Sequence, residues 1–336
     1  MALALKRDSD LIRIRTKYFT NNYRKDYSVY NGFTMPEYFG KYFEEIQEME
    51  VYDDDVWVTG FPKTGSTWTR ETVWLIANDL DFDRADEGLP TRFPYLEFFC
   101  LYDFRRYPKD FKPYPPMTDS LDLVRKAKRP RFIKTHLPWD LLPKDIRNFK
   151  KKPKIIHIAR NPKDTCVSYF HHCKLNEGFT GSFDDFWQLF VTGKLHYTPF
   201  WGNVLGYWNK RDSNNNILFL TYEEVKRDLI GFIKKTAKFL GKELRGEQID
   251  LLVDRLSYES VKARKPEHFE PIVEFLKQFK MCQNESGHFF RAGLVGNYST
   301  QMCADVIDIF DNWTEEHTRG TGLKFNLIRF VKRYSI

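Results

Sequence analysis

Residues 60–69 form a run whose chemistry suits a phosphate-binding turn. The run reads Gly-Phe-Pro-Lys-Thr-Gly-Ser-Thr-Trp-Thr and directly follows the strand-like segment Val56–Thr59. Lys63 supplies a positive charge, and Gly65 allows a tight turn before hydroxyl residues open a helix. Main-chain N–H groups at the beginning of a helix attract anions. The run therefore predicts a site for a phosphate or a similar group, and with it a nucleotide-type ligand.

The order of residues in this run differs from that of the common nucleotide-binding loop. In that pattern, G-x-x-x-x-G-K-[ST], the lysine follows the second glycine. Here Lys63 precedes Gly65 by two positions, and Ser66 and Thr67 follow. We interpret the run as a phosphate loop of another lineage. A plain strand–turn–helix connection is the alternative, because proline, glycine, serine and threonine are ordinary turn residues.

A second strand ends in residues that can move a proton. The segment from Phe132 to Pro138 reads Phe-Ile-Lys-Thr-His-Leu-Pro. Ligands of open α/β sheets bind outside the carboxyl ends of the strands, and Lys134 and His136, two positions apart, can face the same side. A histidine there can accept a proton from a hydroxyl near neutral pH. Taken alone, such a histidine is more often structural, and His157, inside a strand, is predicted to be core.

A third strand–turn–helix segment predicts a second anion site. It runs from Ile155 to Ser168, with Arg160 at the end of the strand and Pro162 where a first helical turn is expected. An arginine at that place can contact a phosphate with two parallel hydrogen bonds. Nearer the carboxyl end, Phe-Phe-Arg-Ala-Gly-Leu-Val-Gly at residues 289–296 is a weaker candidate for a loop that approaches an anion closely.

The elements that must position these residues alternate between strands and helices. Four runs are nearly continuous in apolar residues, which is typical of parallel strands covered on both faces. These predicted strands are Val56–Thr59, Phe132–Thr135, Ile155–Ala159 and Ile217–Thr221. Helices are predicted at Thr67–Asn78, Asp164–Cys173, Phe183–Thr192, Tyr222–Leu240, Gly246–Leu256 and Ala304–Thr318. The pattern predicts an α/β fold: a single domain with a central parallel sheet flanked by helices.

Two stretches rich in aromatic residues do not predict regular elements along their whole length. They cover residues 85–130 and 176–201, and the first also carries many prolines. A long loop in a compact domain often forms a lid, and its aromatic residues can line an apolar pocket. The alternative is that these aromatic residues belong to the core, which is equally weighted for the second stretch because part of its spacing is helical.

Composition narrows the class of protein. The 336 residues are 42% hydrophobic and 29% charged, which is typical of globular chains rather than disordered ones. A net charge of +7, spread along the chain, predicts no nucleic-acid partner but suits a small anion. The five cysteines lack a C-x-x-C pair, which argues against a disulfide scaffold or zinc site. No apolar run approaches the ~18 residues of a membrane span. A reducing, cytoplasmic setting without signal peptide or membrane partner is expected.

Taken together and in this order, the motifs resemble those of the cytosolic sulfotransferase family. The family's phosphosulfate loop matches Phe61–Trp68, its K-[TS]-H-[LF]-P segment matches Lys134–Pro138, and its 3′-phosphate segment matches Arg160–Ser168. Thr221-Tyr-Glu-Glu matches a further element. The resemblance covers about residues 36–325. The aromatic stretch and the long N-terminal part resemble insect members, including the retinol dehydratase branch.

The resemblance implies a donor, 3′-phosphoadenosine 5′-phosphosulfate, and a small apolar hydroxyl compound as acceptor. It implies His136 as the catalytic base, Lys63 at the leaving group and Lys134 at the transferring group, with no metal. It also implies an N-terminal extension, residues 1–35, and a sulfotransferase domain, residues 36–336. The residues implied to bind the donor are Lys63, Thr64, Gly65, Ser66, Thr67, Trp68, Arg160, Ser168, Tyr222, Leu256, Ser257, Tyr258, Phe289, Phe290, Arg291, Ala292 and Gly293.

The sequence departs from the family pattern near the carboxyl end. Ala292 stands where the family has a lysine that faces the 3′-phosphate, and residues 299–308 lack the family's dimer motif. Donor affinity and oligomeric state are therefore left open. Three alternatives to a sulfotransferase remain: a retinoid-type dehydratase acting through a sulfated intermediate, a weakly active nucleotide-binding protein, and a nucleoside kinase, which the position of Lys63 disfavours.

Overall fold

Four parallel strands form the centre of the fold. The computed structural model describes residues 5–24, 26–103, 105, 114–213, 215–257, 260, 276 and 293–325. These strands are β3 (Val56–Thr59), β4 (Phe132–Thr135), β5 (Lys154–Ala159) and β6 (Ile217–Thr221). They lie side by side in the spatial order β4, β3, β5, β6, and every neighbouring pair is parallel. The prediction of a parallel four-stranded α/β sheet is confirmed, with one residue added at the beginning of β5.

Both faces of this sheet are buried. Alternate side chains of one strand enter two separate clusters, so that Trp57 packs on one face while Val56 and Val58 pack on the other. Helices cover each face, which is why these strands read as continuous apolar runs rather than as alternating ones. His157 in β5 is fully buried, as predicted, and its ring stacks on Tyr207 at 4.2 Å between centroids.

The strand register places four chain segments at one edge of the sheet. Thr59 of β3 lies opposite Thr135 of β4 and opposite His157 of β5. The residues that immediately follow the four strands are Gly60, His136, Arg160 and Tyr222. Because parallel strands end at the same edge, three of the predicted site segments and the Tyr222 turn converge there.

The helices follow the predicted pattern with three kinds of difference. Their bounds are α1 (Asp8–Tyr18), α2 (Phe43–Gln47), α3 (Ser66–Ala77), α4 (Phe82–Ala85), α5 (Leu89–Arg92), α6 (Pro115–Thr118), α7 (Ser120–Lys126), α8 (Lys144–Arg147), α9 (Pro162–Asn176), α10 (Phe183–Val191), α11 (Phe200–Trp208), α12 (Tyr222–Arg227), α13 (Leu229–Leu240), α14 (Gly246–Leu256) and α15 (Ala304–Thr318). Within the described part of the chain, 3₁₀ turns lie at Glu37–Lys41, Phe98–Cys100, Trp139–Leu141 and Asn297–Thr300.

The first difference is that the helix predicted from Tyr222 to Leu240 is two helices. The first helix ends before Asp228, whose carboxylate accepts a hydrogen bond from the main-chain N–H of Gly231 at 2.7 Å. An aspartate that caps the next helix competes with continuation of the previous one. The prediction of one helix was therefore wrong at Asp228.

The second difference is that short helices interrupt the stretches predicted to be irregular. Pro90 and Pro115 stand in the first turns of α5 and α6, where a missing N–H costs nothing, so these prolines begin helices rather than preventing them. Residues 104 and 106–113 of the proposed lid lie outside the described residues. In the second stretch, α11 follows Pro199, and its Phe200 and Trp201 are buried core residues together with Phe190 of α10.

The third difference is structure in the N-terminal part that the sequence did not predict. Helix α1 packs against α10, and an antiparallel hairpin joins β1 (Tyr27–Tyr30) to β2 (Phe33–Pro36). The predicted boundary at residue 35 lies inside β2. Among the described helices, none is long and apolar enough to cross a bilayer.

Candidate active site

The loop after β3 is held in shape by its own hydrogen bonds. Thr64 Oγ1 donates to the carbonyl of Phe61 at 2.8 Å, and Thr69 Oγ1 donates to the carbonyl of Gly65 at 3.2 Å. Lys63 has a φ of +72°, a left-handed conformation that is rare for residues with a Cβ. Such strain costs on the order of 1–3 kcal/mol and clusters at functional sites. The loop therefore presents Lys63 in a fixed and strained conformation.

Two glycines in this loop cannot be replaced without a collision. Gly65 has a φ of +111°, and a Cβ there would lie 2.8 Å from Tyr222 Cδ2. Gly60 has a φ of +152°, and a Cβ there would lie 2.4 Å from the carbonyl of Ile158. The loop thus packs directly against β5 and against the first residue of α12, which leaves room for backbone alone.

The beginnings of α3 and α9 differ in how their N–H groups are satisfied. Asn161 caps α9, and its side-chain oxygen accepts from the N–H of Lys163 at 2.8 Å. Gly65 precedes α3, and among the described residues no side chain caps that helix. Ser66 and Thr67 occupy the first two positions of α3. An anion bound at this helix N-terminus would satisfy the groups that a cap satisfies elsewhere.

Arg160 links the second strand end to the phosphate loop and to the carboxyl-terminal loop. Its Nη1 donates to the carbonyl of Lys63 at 3.4 Å, and its Nη2 donates to that of Leu294 at 2.9 Å. The guanidinium lies 4.4 Å from the ring centroid of Tyr222, whose hydroxyl donates to Gly293 O at 3.1 Å. Arg160 Nε is buried without a hydrogen-bond partner among the described residues. A buried unsatisfied donor of this kind is the expected partner of an anion.

The carboxyl-terminal loop is tied to α9 by a carboxylate. Asp164 accepts hydrogen bonds from the main-chain N–H of Gly296 at 2.7 Å and of Tyr298 at 3.0 Å. Ser168 lies half-buried in the second turn of the same helix. Arg160, Gly293 and the first turns of α9, which contain Ser168, therefore lie around the same carboxyl-terminal loop. Phe289, Phe290, Arg291 and Ala292 lie outside the described residues.

Trp68 forms a wall beside this region. Its Nε1 donates to the carbonyl of Leu256 at 3.0 Å, which brings the end of α14 next to the phosphate loop. The ring lies 6.3 Å from that of Tyr222, edge to face. Ser257 is half-buried directly after Leu256, and Tyr258 lies outside the described residues. Trp68 thus contacts both Tyr222 and Leu256, and Ser257 follows Leu256 in the chain.

His136 is buried and held at both its ring and its main chain. It is 6% exposed, and its Nδ1 donates to the carbonyl of Gly60. Asn203 Nδ2 donates to the His136 carbonyl at 3.0 Å. Burial, and then the charge of Lys134, hold the pKa of His136 well below its ordinary value. The imidazole is therefore neutral at pH 7 with its proton on Nδ1, so Nε2 carries the lone pair of a base.

Lys134 lies close to His136 and over an aromatic ring. Its Nζ is 3.6 Å from the ring centroid of Tyr95. Burial, and then the charge of Arg70, lower the pKa of Lys134 well below its ordinary value, whereas Glu97 raises it. Lys63 adds a further like charge. Positive charges crowded at one buried edge favour the binding of an anion there.

Glu97 and Tyr197 join the site although the sequence analysis did not single them out. Glu97 is fully buried and accepts a hydrogen bond from the main-chain N–H of His136 at 2.7 Å. Tyr197 OH donates to the same carboxylate at 3.2 Å. The available signal was the single acid in the apolar run at residues 95–102, because a buried glutamate is rare unless it has partners.

Comparison with known proteins identifies the family of the chain. The chain matches the sulfotransferase domain family over residues 53–322. It is 41% identical to luciferin sulfotransferase of Photinus pyralis over 83% of this chain and 75% of that protein. It is 31% identical to sulfotransferase 1B1 of Mus musculus over 90% of this chain and 95% of that protein. A retinol dehydratase crystallised with retinol and PAP has a similar fold, with a TM-score of 0.81, 28% identity, and coverage of 96% of this chain and 97% of that one. The chain belongs to the sulfotransferase family.

Proposed function

We propose that this protein transfers a sulfuryl group from 3′-phosphoadenosine 5′-phosphosulfate to the hydroxyl of a small apolar phenol or alcohol. The observation that carries the proposal is the state of His136. Its Nδ1–H is committed to the Gly60 carbonyl, and its lowered pKa keeps Nε2 unprotonated near pH 7. A base in this state, next to a phosphate-type loop, suits the activation of a hydroxyl.

The residues of the sheet edge fit a donor with phosphate at both ends. The phosphate loop from Lys63 to Thr67 suits the 5′-phosphosulfate, together with the N-terminus of α3, which no side chain of the described residues caps. Arg160, whose Nε has no hydrogen-bond partner among those residues, and Ser168 suit the 3′-phosphate. The aromatic wall of Trp68 and Tyr222 suits a flat base. Two separate anion sites on one edge explain why a doubly phosphorylated donor is proposed rather than a simple phosphate.

The remaining chemistry belongs to the side chains. When bound, the donor supplies the sulfuryl group that the acceptor oxygen receives. His136 Nε2 accepts the proton of the acceptor hydroxyl. Lys63 and Lys134 stabilise negative charge that develops on the leaving and transferring oxygens, because preorganised cations act strongly at a buried site. Most of the catalytic effect is expected from positioning and charge, as in phosphoryl transfer.

The surroundings of His136 support an apolar, ring-bearing acceptor. The rings of Tyr95 and Tyr197 lie 5.1 and 5.7 Å from the imidazole, both edge to face. Phe61, which follows Gly60, packs against Tyr169, Phe190 and Phe200, with ring centroids no more than 5.6 Å apart. An aromatic environment next to the base favours a phenol or a hydrophobic alcohol over a sugar or an amine.

A radiolabelled transfer assay tests this function. The protein is incubated with ³⁵S-labelled donor and a panel of phenols and alcohols. Labelled products are then separated, and their masses are determined by mass spectrometry. We expect sulfate esters from the wild type. The His136→Ala variant should lose about 10²–10⁴-fold in rate, the usual contribution of a general base. The His317→Ala variant, which changes an exposed histidine of α15, serves as the control.

Two other results would change the proposal. No turnover across the panel would contradict it and favour a weakly active nucleotide-binding protein. Sulfate esters formed at equal rates by the wild type and by His136→Ala would contradict the role of His136 as the base. A retinol product that lacks one water, formed only with the donor present, would identify the dehydratase reaction instead. The division into an extension at residues 1–35 and a domain at 36–336, and a cytoplasmic location, stay predictions.

A further inference from the structure

A buried carboxylate and a strained tyrosine stand directly behind the proposed base. We propose that Glu97 and Tyr197 are positioning residues that hold His136 and Lys134 in the geometry needed for transfer. This inference rests on the proposed function, because it concerns the same base. In this proposal, neither Glu97 nor Tyr197 contacts the acceptor or the donor.

Glu97 directly precedes the 3₁₀ turn Phe98–Cys100, and its carboxylate joins that turn to the end of β4. Its Oε1 accepts from the main-chain N–H of His136 at 2.7 Å, and its Oε2 accepts from Thr135 Oγ1 at 2.8 Å. Thr135 Oγ1 in turn accepts from the N–H of Leu137 at 3.0 Å. Three consecutive residues around the base thus depend on one carboxylate, which only accepts hydrogen bonds in this arrangement, as the ionised form does.

Tyr197 donates a hydrogen bond to the same carboxylate. Its hydroxyl donates to Glu97 Oε1 at 3.2 Å, and the hydroxyl of Tyr95 lies 2.6 Å from it. With the Tyr197 proton directed to Glu97, Tyr95 is the donor in the second contact. The rings of these two tyrosines flank the His136 imidazole, so the ring of the base has little freedom to rotate.

The backbone of Tyr197 is strained, and the N-terminal hairpin maintains that strain. Tyr197 has a φ of +66°, which is an outlier for an aromatic residue. Its N–H donates to the carbonyl of Thr34 at 2.9 Å, and the N–H of Thr34 donates to Thr198 O at 2.9 Å. Thr34 Oγ1 also donates to the Gly193 carbonyl at 2.8 Å. Strand β2 therefore fixes the tyrosine that supports Glu97, and strain kept in this way is typical of functional sites.

Glu97 also balances the charges around Lys134. The charged groups that face Lys134 are Arg70 of α3, Lys63 of the phosphate loop and Glu97, and the ring of Tyr95 lies under its ammonium. The first two lower the pKa of Lys134, and Glu97 alone of these charged groups raises it. Burial raises the pKa of Glu97, and its hydrogen bonds from His136 and Thr135 and the charge of Lys134 oppose that rise. Loss of the negative charge should therefore favour deprotonation of Lys134.

Two conservative substitutions test the inference. Glu97→Gln keeps the shape and an oxygen for the His136 N–H but removes the charge. Tyr197→Phe removes only the hydroxyl. We expect kcat to fall about tenfold in each, because small displacements of catalytic groups cost up to about 10²-fold. The Kd for the desulfated donor, measured by calorimetry, should stay within about twofold in both variants, since the sites for its phosphates are intact.

The pH profile separates positioning from a merely structural effect. In Glu97→Gln, the alkaline limb of kcat should move to lower pH, because Lys134 loses its proton more easily without the carboxylate. Tyr197→Phe should show a smaller displacement in the same direction. Tyr38→Phe is the matched control: it breaks another tyrosine–tyrosine contact, Tyr38 OH to Tyr42 OH at 2.9 Å, away from the sheet edge. Its rate and pH profile should equal those of the wild type.

The outcomes are distinguishable from failure of the proposed function. A wild type that transfers no sulfuryl group contradicts the function itself. The inference alone is overturned if the wild type is active and both Glu97→Gln and Tyr197→Phe have the same kcat per donor-binding site as the wild type. In that case the alkaline limb of kcat would also stay at the wild-type pH in both variants. If Glu97→Gln does not fold, Tyr197→Phe decides: an unchanged kcat in that variant overturns the inference.

Discussion

The two ends of the same parallel strands use charge in opposite ways. At the amino edge, Asp55 precedes β3 and forms a buried pair with Arg131, which precedes β4; Arg131 Nε lies 2.8 Å from Asp55 Oδ1. Next to it, the exposed side chains of Asp54 and Arg129 pair at 2.7 Å. Arg131 and Arg129 thus each have a carboxylate partner of their own. At this edge, charge holds the strands in register.

At the carboxyl edge, several positive charges lie close together. Lys63, Lys134, Arg70 and Arg160 all lie around the strand ends, and Glu97 is the carboxylate that faces Lys134. Burial and the charge of Arg92 lower the pKa of Arg70 to about 9. Crowded like charges destabilise a folded chain, and a bound anion relieves that cost. The contrast shows that one end of the sheet is built for stability and the other for a ligand.

The largest effect expected from this contrast is at the amino edge. Asp55→Asn leaves the buried Arg131 guanidinium without a counter-charge, so the free energy of unfolding should fall by about 3–5 kcal/mol. Chemical denaturation measures this change, and the transfer rate per folded molecule should be unaffected. Asp54→Asn is the control, since an exposed pair contributes about 0–1 kcal/mol. A loss of activity in folded Asp55→Asn protein would mean that the two edges are not separate.

The next largest effect is expected at the carboxyl edge, where a substitution should lower activity strongly and stability little. Lys63→Ala should lower kcat by about 10²-fold or more, because a preorganised charge at the leaving oxygen is lost. Its free energy of unfolding should change by less than about 1 kcal/mol, since removing one of several like charges costs little stability. Transfer kinetics and denaturation are measured on the same preparation.

A lysine of the amino edge provides the control for this variant. Lys151 Nζ lies 3.6 Å from Asp53, beyond the opposite ends of the strands. Lys151→Ala removes the same charge and should keep the wild-type rate. A normal rate in Lys63→Ala would remove that lysine from the mechanism, and an equal loss in both variants would indicate a general effect of net charge.

The contrast between the edges also explains what could be predicted from the sequence. Both faces of the strands are buried, so their apolar runs are continuous and their bounds were correct within one residue. The motifs at Lys63, Lys134, His136 and Arg160 follow strands directly, and parallel strands must bring their carboxyl ends together. Local sequence therefore determined the position of these residues.

The parts that were not predicted depend on contacts distant in sequence. Glu97 reaches His136 across 39 residues, and its hydrogen bond with Tyr197 spans 100 residues. Thr34 fixes Tyr197 through main-chain hydrogen bonds, which no side-chain pattern records. The break at Asp228 depended on a choice between continuing one helix and capping the next. Residues that support a site through another residue carry no motif of their own, so spacing could not reveal them.

The smallest expected effect concerns the acidity of the base. Burial and Lys134 lower the pKa of His136, so its neutral form persists below the ordinary histidine value of about 6.5. A base must be unprotonated, and the acid limb of kcat/KM should therefore lie below about pH 6.5, with full rate above it. In the donor complex, the negative charge of the donor should raise the pKa of His136, so the acid limb of kcat should lie at higher pH than that of kcat/KM.

An NMR titration, with the His136 signal assigned by its loss in His136→Ala, measures the pKa of His136 directly. A value at or above 6.5 in the free protein would show that the cations of this edge do not act on the base, and the contrast between the two edges would then concern ligand binding alone.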